Sequence, residues 1–206
     1  MGYRPTLEAE RRLRELAESQ GGYFTAKQAA SVGYGYSHLA YHHRARRIER
    51  VAHGVYRLAG AAISDHDDLV RLTFWSRNRQ DAPQAVVSHA SALVAHGITS
   101  LLPHVVHLTV PPEFSKRPPP GCKLHRARLA TTDIEERIGF RVTTPLRTLV
   151  DSASASHVPH DELVRAAEAA IERGLVRKPA LAEAFKEADV TPSVRRDLRF
   201  LRRGRK

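Results

Sequence analysis

The sequence predicts an α+β protein in which an N-terminal winged helix-turn-helix domain precedes a mixed α/β domain with C-terminal helices. Two observations support the first domain: three short helical patterns follow one another, and two alternating strands around a glycine come next. A third observation supports the second domain, because helical and strand patterns are interleaved after residue 61. We place the boundary in the segment "AGAA", which divides the chain into residues 1–60 and 61–206.

The predicted order in the first domain is helix, helix, helix and hairpin. Leucines at helical spacing predict a first helix that ends at Gly21. Thr25 is the predicted N-cap of a second helix that ends at Gly33, and Ser37 is the predicted N-cap of a third. Two alternating strands then flank Gly54, whose positive φ suits a tight turn. This is the order of a small winged helix-turn-helix domain.

Helices and strands are mixed in the predicted second domain. Asp65 is the predicted cap of its first helix, and a second helix begins near Ser88 and ends at Gly97. Thr144 as N-cap, with Pro145 at the first helical position, predicts a further helix. Two more amphipathic helices follow before the basic C-terminal segment. The predicted strands are "HVVHLTVP", "CKLHRARL" and "GFRVTT".

The segment "TTPLRTLVD" lies where this further helix begins. Arg147 and Asp151 stand four residues apart on one helical face and are predicted to pair. Thr148 is placed to bond back to the preceding turn. We interpret the segment as a structural anchor for the helix start, with a toxin-binding or ligand-binding role as the alternative.

Positive charge is concentrated at the two ends of the chain. The formal net charge is +11. Residues 1–60 contain ten Lys or Arg and five Asp or Glu, and residues 192–206 contain seven and one. The intervening part has sixteen of each and is neutral. This distribution favours a polyanionic partner that meets particular surfaces rather than the whole protein.

The third helix and the hairpin provide the candidate contacts to double-stranded DNA. The second helix of a helix-turn-helix normally enters the major groove, where arginine contacts guanine and the phosphates. We predict that the third helix turns its polar face outward and its Leu39 and Ala40 inward, with His43 as a further candidate for the core. A solvated basic surface is the alternative. The predicted DNA-binding residues are Thr25, Lys27, Gln28, Tyr36, Ser37, His38, Tyr41, His42, Arg44, Arg46, Arg47, Arg50, His53 and Arg57.

A basic helix is also predicted over residues 192–206, where Leu198, Phe200 and Leu201 form an apolar side. It is a candidate second contact to nucleic acid or to an acidic partner protein, and a solvated terminal helix is an equal alternative. The cations concerned are Arg195, Arg196, Arg199, Arg202 and Arg203.

Membrane and secreted classes are not favoured by the sequence. The apolar runs are too short to span a bilayer. The N-terminus lacks the apolar segment of a secretion signal, and Cys122 is the single cysteine, so no intrachain disulfide forms. We therefore expect a cytoplasmic protein with no membrane partner.

Catalysis is not favoured either. The chain has twelve histidines, but no "HExxH" motif, no Cys/His cluster, no glycine-rich phosphate loop and no "GxSxG" motif. A metal-dependent nuclease of the restriction type usually has an acidic residue two positions before a lysine, and none of the six lysines here has one. We expect no enzymatic activity, no metal site and no cofactor.

Several segments resemble a known family. "GGYFTAKQAASVGY" and "LAYHHRARRIERVAHGVYRL" resemble the winged-helix domain of AbiEi-family antitoxins from type IV toxin–antitoxin systems. The resemblance covers residues 6–155 and is specific as a set of motifs. The segments that resemble the second domain of these proteins are "SHASALVAHGI", "VHLTVP", "LHRARL" and "GFRVTTPLRTLVD".

The resemblance implies a transcriptional autorepressor that binds inverted repeats upstream of its own operon. It also implies an antitoxin whose second domain counters a nucleotidyltransferase-like toxin. DNA recognition would fall on Tyr36 to Arg47 and on Arg50, His53 and Arg57. In one departure, Arg46 stands near a position where such sequences often have glycine, so a longer or differently angled helix exit is expected.

Two other readings stay open at this point. One is a stand-alone winged-helix regulator whose second domain binds a small ligand or mediates dimerisation. The other is a nucleic-acid-processing enzyme that depends on a divalent metal. The oligomeric state is also open, because no heptad pattern marks a dimer seam.

Overall fold

A computed structural model describes residues 7–155 and 158–188 of the chain. The chain divides into two compact units. The first comprises the described residues up to 84 together with 136–140, and the second comprises 85–135 and the described residues from 141 onward. The first unit thus runs past residue 60, and a domain boundary at that residue stays a prediction. The predicted basic helix at 192–206, with Arg195, Arg196, Arg199, Arg202 and Arg203, lies outside the described residues.

Up to residue 84, the first unit contains four helices and three strands in the order α1, β1, α2, α3, β2, β3 and α4. Three helices followed by the β2–β3 hairpin give the order of a winged helix-turn-helix, and the α+β fold prediction is confirmed. The sheet order is β1-β3-β2, with both pairs antiparallel. β1 was not predicted because it is three residues long and pairs with a strand distant in sequence. The bounds are α1 Leu7–Glu18, β1 Tyr23–Thr25, α2 Ala26–Ser31, α3 Tyr36–Arg44, β2 Ile48–Ala52, β3 Val55–Leu58 and α4 Asp67–Ser76.

The core of this unit joins α1 and α3 to the sheet. Leu13 of α1 and Leu39 of α3 are almost fully buried, together with Phe24 and Ile48. The ring of Phe24 stacks on that of Tyr56 at a centroid distance of 5.8 Å. Each such apolar side chain stabilises the fold by about 1.5–3 kcal/mol on burial. Because Leu39 turns into this core, the opposite face of α3 is left to solvent.

The starts of two helices test the predicted caps. Thr25 is the N-cap of α2, as predicted: its hydroxyl accepts a hydrogen bond from the Gln28 amide at 3.1 Å. The Gln28 side-chain oxygen in turn accepts from the Thr25 amide at 2.9 Å, which completes a capping box. The predicted cap at Asp65 is wrong, because α4 begins two residues later with His66 in the N-cap position.

In the described residues after 85, the chain forms a mixed five-stranded sheet and four α-helices. The sheet order is β6-β5-β4-β8-β7. β4 runs antiparallel to β5 and parallel to β8, and β5 is parallel to β6. In the described part of the chain, no helix is both long and apolar enough to cross a membrane. The bounds are β4 Val86–Val87, α5 His89–Ala95, β5 Val106–Val110, β6 Cys122–Arg126, β7 Ile134–Arg137, β8 Phe140–Thr143, α6 Pro145–Ser154, α7 His160–Glu172 and α8 Lys178–Glu187.

A helical core holds the second unit together. Leu93 of α5, Leu149 of α6, Leu163 of α7 and Leu181 of α8 are all essentially inaccessible and belong to one cluster. The predicted strands at β5, β6 and β8 are confirmed, as are the helices α5 to α8. β4 and β7 were missed, since a two-residue strand and a charged edge strand carry little local signal.

The segment after β8 is a structural anchor, as predicted. Arg147 donates from Nε to Asp151 at 2.8 Å and from Nη1 to Asp133 at 3.1 Å. The Thr148 hydroxyl donates to the backbone carbonyl of Thr143 at 3.0 Å and is fully buried. The Thr148 bond ties the start of α6 to the end of β8, and the Arg147 bond to Asp133 ties it to the residue before β7.

Candidate nucleic-acid interface

The outer face of α3 carries polar and aromatic side chains. Tyr36 is 74% exposed and Tyr41 is 58% exposed, and both Ser37 and Arg44 are also exposed. The predicted cap at Ser37 is wrong, because the helix begins at Tyr36 with Gly35 as its N-cap. The Ser37 hydroxyl is therefore on the helix surface instead of serving its start. Large aromatic side chains left in water on one helix face are typical of a contact surface.

His42 does not lie on that face. It is 7% exposed, three residues after Leu39 and on the same inward side, with its ring 5.2 Å from that of Tyr34. The prediction that placed His42 among the outward residues is wrong, and so is the suggestion that His43 enters the core. His43 is exposed, and its Nδ1 lies 3.3 Å from the backbone oxygen of Ile48.

The charge state of His42 also argues against a contact to phosphate. Burial lowers its pKa below the ordinary value, and the positive charge of Arg47 lowers the pKa further, with Glu10 acting in the opposite sense. His42 is therefore neutral near pH 7 and belongs to the folded core. His38 is half-buried, with its ring 5.7 Å from that of Tyr34.

The exit from α3 is made by an arginine in a backbone conformation that normally selects glycine. Arg46 has φ +53° and directly follows the C-cap, Ala45. The Arg46 amide donates to the His43 carbonyl at 3.1 Å, and the Arg47 amide donates to the His42 carbonyl at 2.9 Å. These two bonds form a Schellman motif, the usual end of a helix whose next residue is left-handed. Arg46 therefore ends α3 with the hydrogen bonds that glycine would allow at this position, although glycine is the usual residue there.

The wing is the hairpin of β2 and β3. Gly54 has φ +69° in its turn, as predicted. A register shift between Arg50 and Ala52 interrupts the pairing, and such bulges bend a strand and redirect its side chains. Arg50 and His53 are exposed at this end of the hairpin, and Arg50 Nη2 lies 3.4 Å from His53 Nδ1. Two groups able to donate hydrogen bonds to an anion therefore lie side by side at the wing tip.

Arg57 is a structural residue rather than a surface cation. Its side chain is buried, and Nη2 donates to the carbonyls of Ala61 at 2.7 Å and Ala62 at 3.2 Å. Nε lies 4.0 Å from Asp67, whose carboxylate also accepts a hydrogen bond from the Tyr23 hydroxyl at 2.9 Å. The prediction of a phosphate contact from Arg57 is not supported, because its guanidinium is engaged inside the first unit.

The side chains predicted to contact DNA from the start of α2 also bond to other groups of the protein. Thr25 is buried and Gln28 is half-buried, and each bonds the other's backbone amide in the capping box. The Lys27 side chain is exposed, and its ammonium donates to the backbone carbonyl of Arg79. The structure therefore does not support Thr25 and Gln28 as DNA contacts, and Lys27 is a peripheral cation.

What remains is a set of exposed residues that follow one another along the chain from α3 to the wing, here called the recognition surface. Between residues 36 and 56 the sequence contains four arginines and a single acidic residue, Glu49. All of the members below are exposed. The recognition surface comprises Tyr36, Ser37, Tyr41, Arg44, Arg46, Arg47, Arg50 and His53.

An outward polar helix beside a basic hairpin, in this element order, is the arrangement of a winged-helix regulator. In agreement with this class, residues 11–59 match a family model described as "Transcriptional regulator, AbiEi antitoxin". The match confirms the AbiEi resemblance for this segment, which runs from α1 to the end of β3. By that description, the match supports a regulatory role.

The fold also has a counterpart among solved structures. The crystal structure of the Rv2827c protein from Mycobacterium tuberculosis matches with a TM-score of 0.51 and 20% sequence identity, covering 97% of this chain and 78% of that chain. At this identity the likeness concerns the fold alone. No curated protein matches the sequence.

Proposed function

We propose that this chain is a sequence-specific, DNA-binding transcriptional autorepressor and the antitoxin of a type IV toxin–antitoxin system. Its DNA target is double-stranded DNA at its own promoter, with inverted repeats. The antitoxin activity counteracts a nucleotidyltransferase-like toxin. The observation that carries the DNA-binding part is the recognition surface, which joins the outer face of α3 to the wing.

The recognition surface supports a division of labour between helix and wing. α3 is nine residues long, which fits a helix lying in the major groove. Tyr36, Ser37 and Tyr41 are exposed along it and offer hydroxyl groups and ring faces to bases and sugars. Arg44, near the helix end, is placed to reach a base edge or the adjacent backbone.

The arginines beyond the helix suit the phosphates. Arg46 and Arg47 follow α3 directly, and Arg50 is on the first wing strand next to His53. Guanidinium groups bind phosphate oxygens through two parallel hydrogen bonds, so three of them fix register on the duplex. Contact with phosphates therefore accounts for the clustering of these arginines, whereas a solvated basic surface would not require them to be close together in the chain.

A salt series tests this proposal. Replacing Arg46, Arg47 and Arg50 with glutamine removes three expected phosphate contacts, so the slope of log K against log salt should flatten by about 2.7. The control is a charge-matched triple variant at exposed arginines of the second unit, namely Arg117, Arg128 and Arg177. The proposal predicts that this control keeps the wild-type slope. Equal slopes for both triple variants would remove the wing from the interface.

The antitoxin part rests on the family description and has its own test. Expression of the neighbouring nucleotidyltransferase-like gene should arrest growth, and co-expression of this chain should restore growth. The triple arginine variant should still restore growth if the second unit counters the toxin and DNA binding is separate. Absence of such a neighbouring gene would leave a stand-alone winged-helix regulator, whose second unit binds a ligand or another copy of the chain.

A further inference from the structure

Three histidines of the second unit lie together. His89 is the first residue of α5, His107 is on β5, and His125 is on β6. One nitrogen of each ring lies within 4.8 Å of the other two. His89 and His107 are buried and His125 is half-buried. Among the residues that the structure describes, this is the one group of three or more potential ligands close enough to share a metal ion.

The fold explains how residues so far apart in sequence meet. His107 is paired with Lys123 in the parallel β5–β6 ladder, and His125 lies two residues further along β6 on the same face. The start of α5 is tied to β5 by two bonds. The Ser88 amide donates to the His107 carbonyl at 3.0 Å, and the His107 amide donates to the Ser91 hydroxyl at 2.9 Å.

The three rings are packed closely. Nδ1 of His107 lies 2.9 Å from Nε2 of His125, and the rings of His89 and His125 stack with centroids 3.6 Å apart. Nδ1 of His89 lies 2.9 Å from the Ser88 hydroxyl, which itself accepts a hydrogen bond from Thr109 at 2.8 Å. A hydroxyl that holds one ring nitrogen fixes the direction of the other, as the hydrogen-bond partners of metal-binding histidines do.

The backbone at His89 adds an independent observation. Its φ is +52°, a left-handed conformation that a non-glycine residue seldom adopts. Such conformations persist where the surroundings hold them, and they cluster at ligand sites. Here the residue in this conformation is His89, whose ring stacks on that of His125.

We propose that His89, His107 and His125 form a binding site for a divalent transition-metal ion of the zinc class. Three imidazoles with no thiolate among them suit Zn²⁺, Co²⁺ or Ni²⁺ and do not suit Mg²⁺ or Ca²⁺, which take oxygen ligands. Zinc–nitrogen bonds of about 2.0–2.1 Å in a tetrahedron put ligand nitrogens about 3.3–3.4 Å apart. The ligand nitrogens here lie within 4.8 Å of one another, so binding requires the stacked rings of His89 and His125 to rotate toward a shared ion. The fourth position is left to water.

The site has a structural consequence that does not depend on DNA binding. An ion shared by these three histidines clamps α5 to β5 and β6, all within the second unit. Metal binding therefore stabilises that unit. The sequence predicted no metal site because these histidines form no local spacing motif.

Calorimetric titration of the untagged full-length chain, stripped with a chelator, tests the proposal with ZnCl₂ and with MgCl₂ for comparison. We expect one zinc ion per chain, no magnesium binding, and a melting temperature roughly 5–10 °C higher at a free zinc concentration of one hundred times Kd. Co²⁺ should give the visible absorption of a tetrahedral nitrogen site. The variants are His107→Gln and His125→Gln, with His104→Gln as the matched control, since His104 is exposed and outside the cluster.

The outcomes separate clearly. The proposal expects His104→Gln to bind zinc as the wild type does, and both cluster variants to lose at least about a hundredfold in affinity and the thermal shift. Circular dichroism of the metal-free variants checks that they fold. If they do not, Thr109→Val leaves the ligands in place and should weaken zinc binding about tenfold. No stoichiometric zinc binding by the wild type, or binding unaffected by the substitutions, overturns the proposal.

Discussion

Arg46 gives a prediction in which stability and DNA affinity change in opposite directions. A left-handed residue with a side chain costs about 1–2 kcal/mol relative to the right-handed conformation, and Arg46 has φ +53°. Arg46→Gly removes that cost, whereas the greater freedom of glycine in the unfolded chain takes back about 0.5–1 kcal/mol. The expected net gain is therefore about 0.5–1 kcal/mol. The same change removes one expected phosphate contact and lowers the salt slope by about 0.9.

Urea unfolding followed by tryptophan fluorescence measures the stability change. The single tryptophan, Trp75, is on α4 in the first unit and reports on the unfolding of that unit. Arg46→Ala is the reference, because it removes the same charge but keeps a side chain at the left-handed position. Glycine should be more stable than alanine by about 1 kcal/mol, while both variants lose equal DNA affinity. If alanine is as stable as glycine, the Schellman end of α3 is wrong, and with it the placement of the cations that follow.

Three further predictions concern residues that the structure takes out of the interface or uses as anchors. Arg57→Gln should lower the free energy of unfolding by about 1–3 kcal/mol, because its bonds to the Ala61 and Ala62 carbonyls are lost, whereas exposed Arg50→Gln should change it by less than about 0.5 kcal/mol in the same urea titration. Burial lowers the pKa of His42 below 6.5, so between that folded-state pKa and 6.5 the unfolded chain binds more protons than the folded one. Stability should then be full above about pH 6.5 and fall as the pH drops, and His42→Leu should reduce this dependence in melting curves. An unchanged pH dependence in that variant would contradict the burial of His42 in the core. Thr144→Ala should cost about 0.5–2 kcal/mol through loss of the α6 cap, and Thr144→Ser should restore most of the loss; equal stability of the two variants would show that the cap contributes nothing.

Much of the fold could be predicted from patterns of residues that are close together in the sequence. The Thr25 N-cap of α2, Gly54 in the wing and the Thr144-Pro145 start of α6 each depend on residues a few positions apart, and each was predicted from them. The exposed residues of the recognition surface could be predicted in the same way, because an outward polar helix and a basic hairpin are local sequence patterns. The charge asymmetry of the chain added the expectation of a polyanion.

The errors come from contacts that no local pattern encodes. Arg57 looks like any other wing arginine until the carbonyls of Ala61 and Ala62 and the carboxylate of Asp67 surround it. His42 and His43 stand three and four residues after Leu39, so helical spacing alone leaves both as candidates for the core. In the structure it is the His42 ring that packs against Tyr34.

The histidine cluster was missed for the same reason. His107 and His125 meet through the register of two parallel strands, which a single sequence does not reveal. Pairing between distant strands also accounts for the missed β1 and β4.

The most direct test of the central claim is a fluorescence-anisotropy titration of the full chain. The labelled duplex is the DNA immediately upstream of the gene, compared with a scrambled duplex of equal length over a salt series. Binding that prefers the upstream DNA by at least about a thousandfold, and weakens steeply with salt, is the predicted result for a sequence-reading regulator. Equal, weak binding to both duplexes would contradict the account, because the recognition surface would then be a general basic patch.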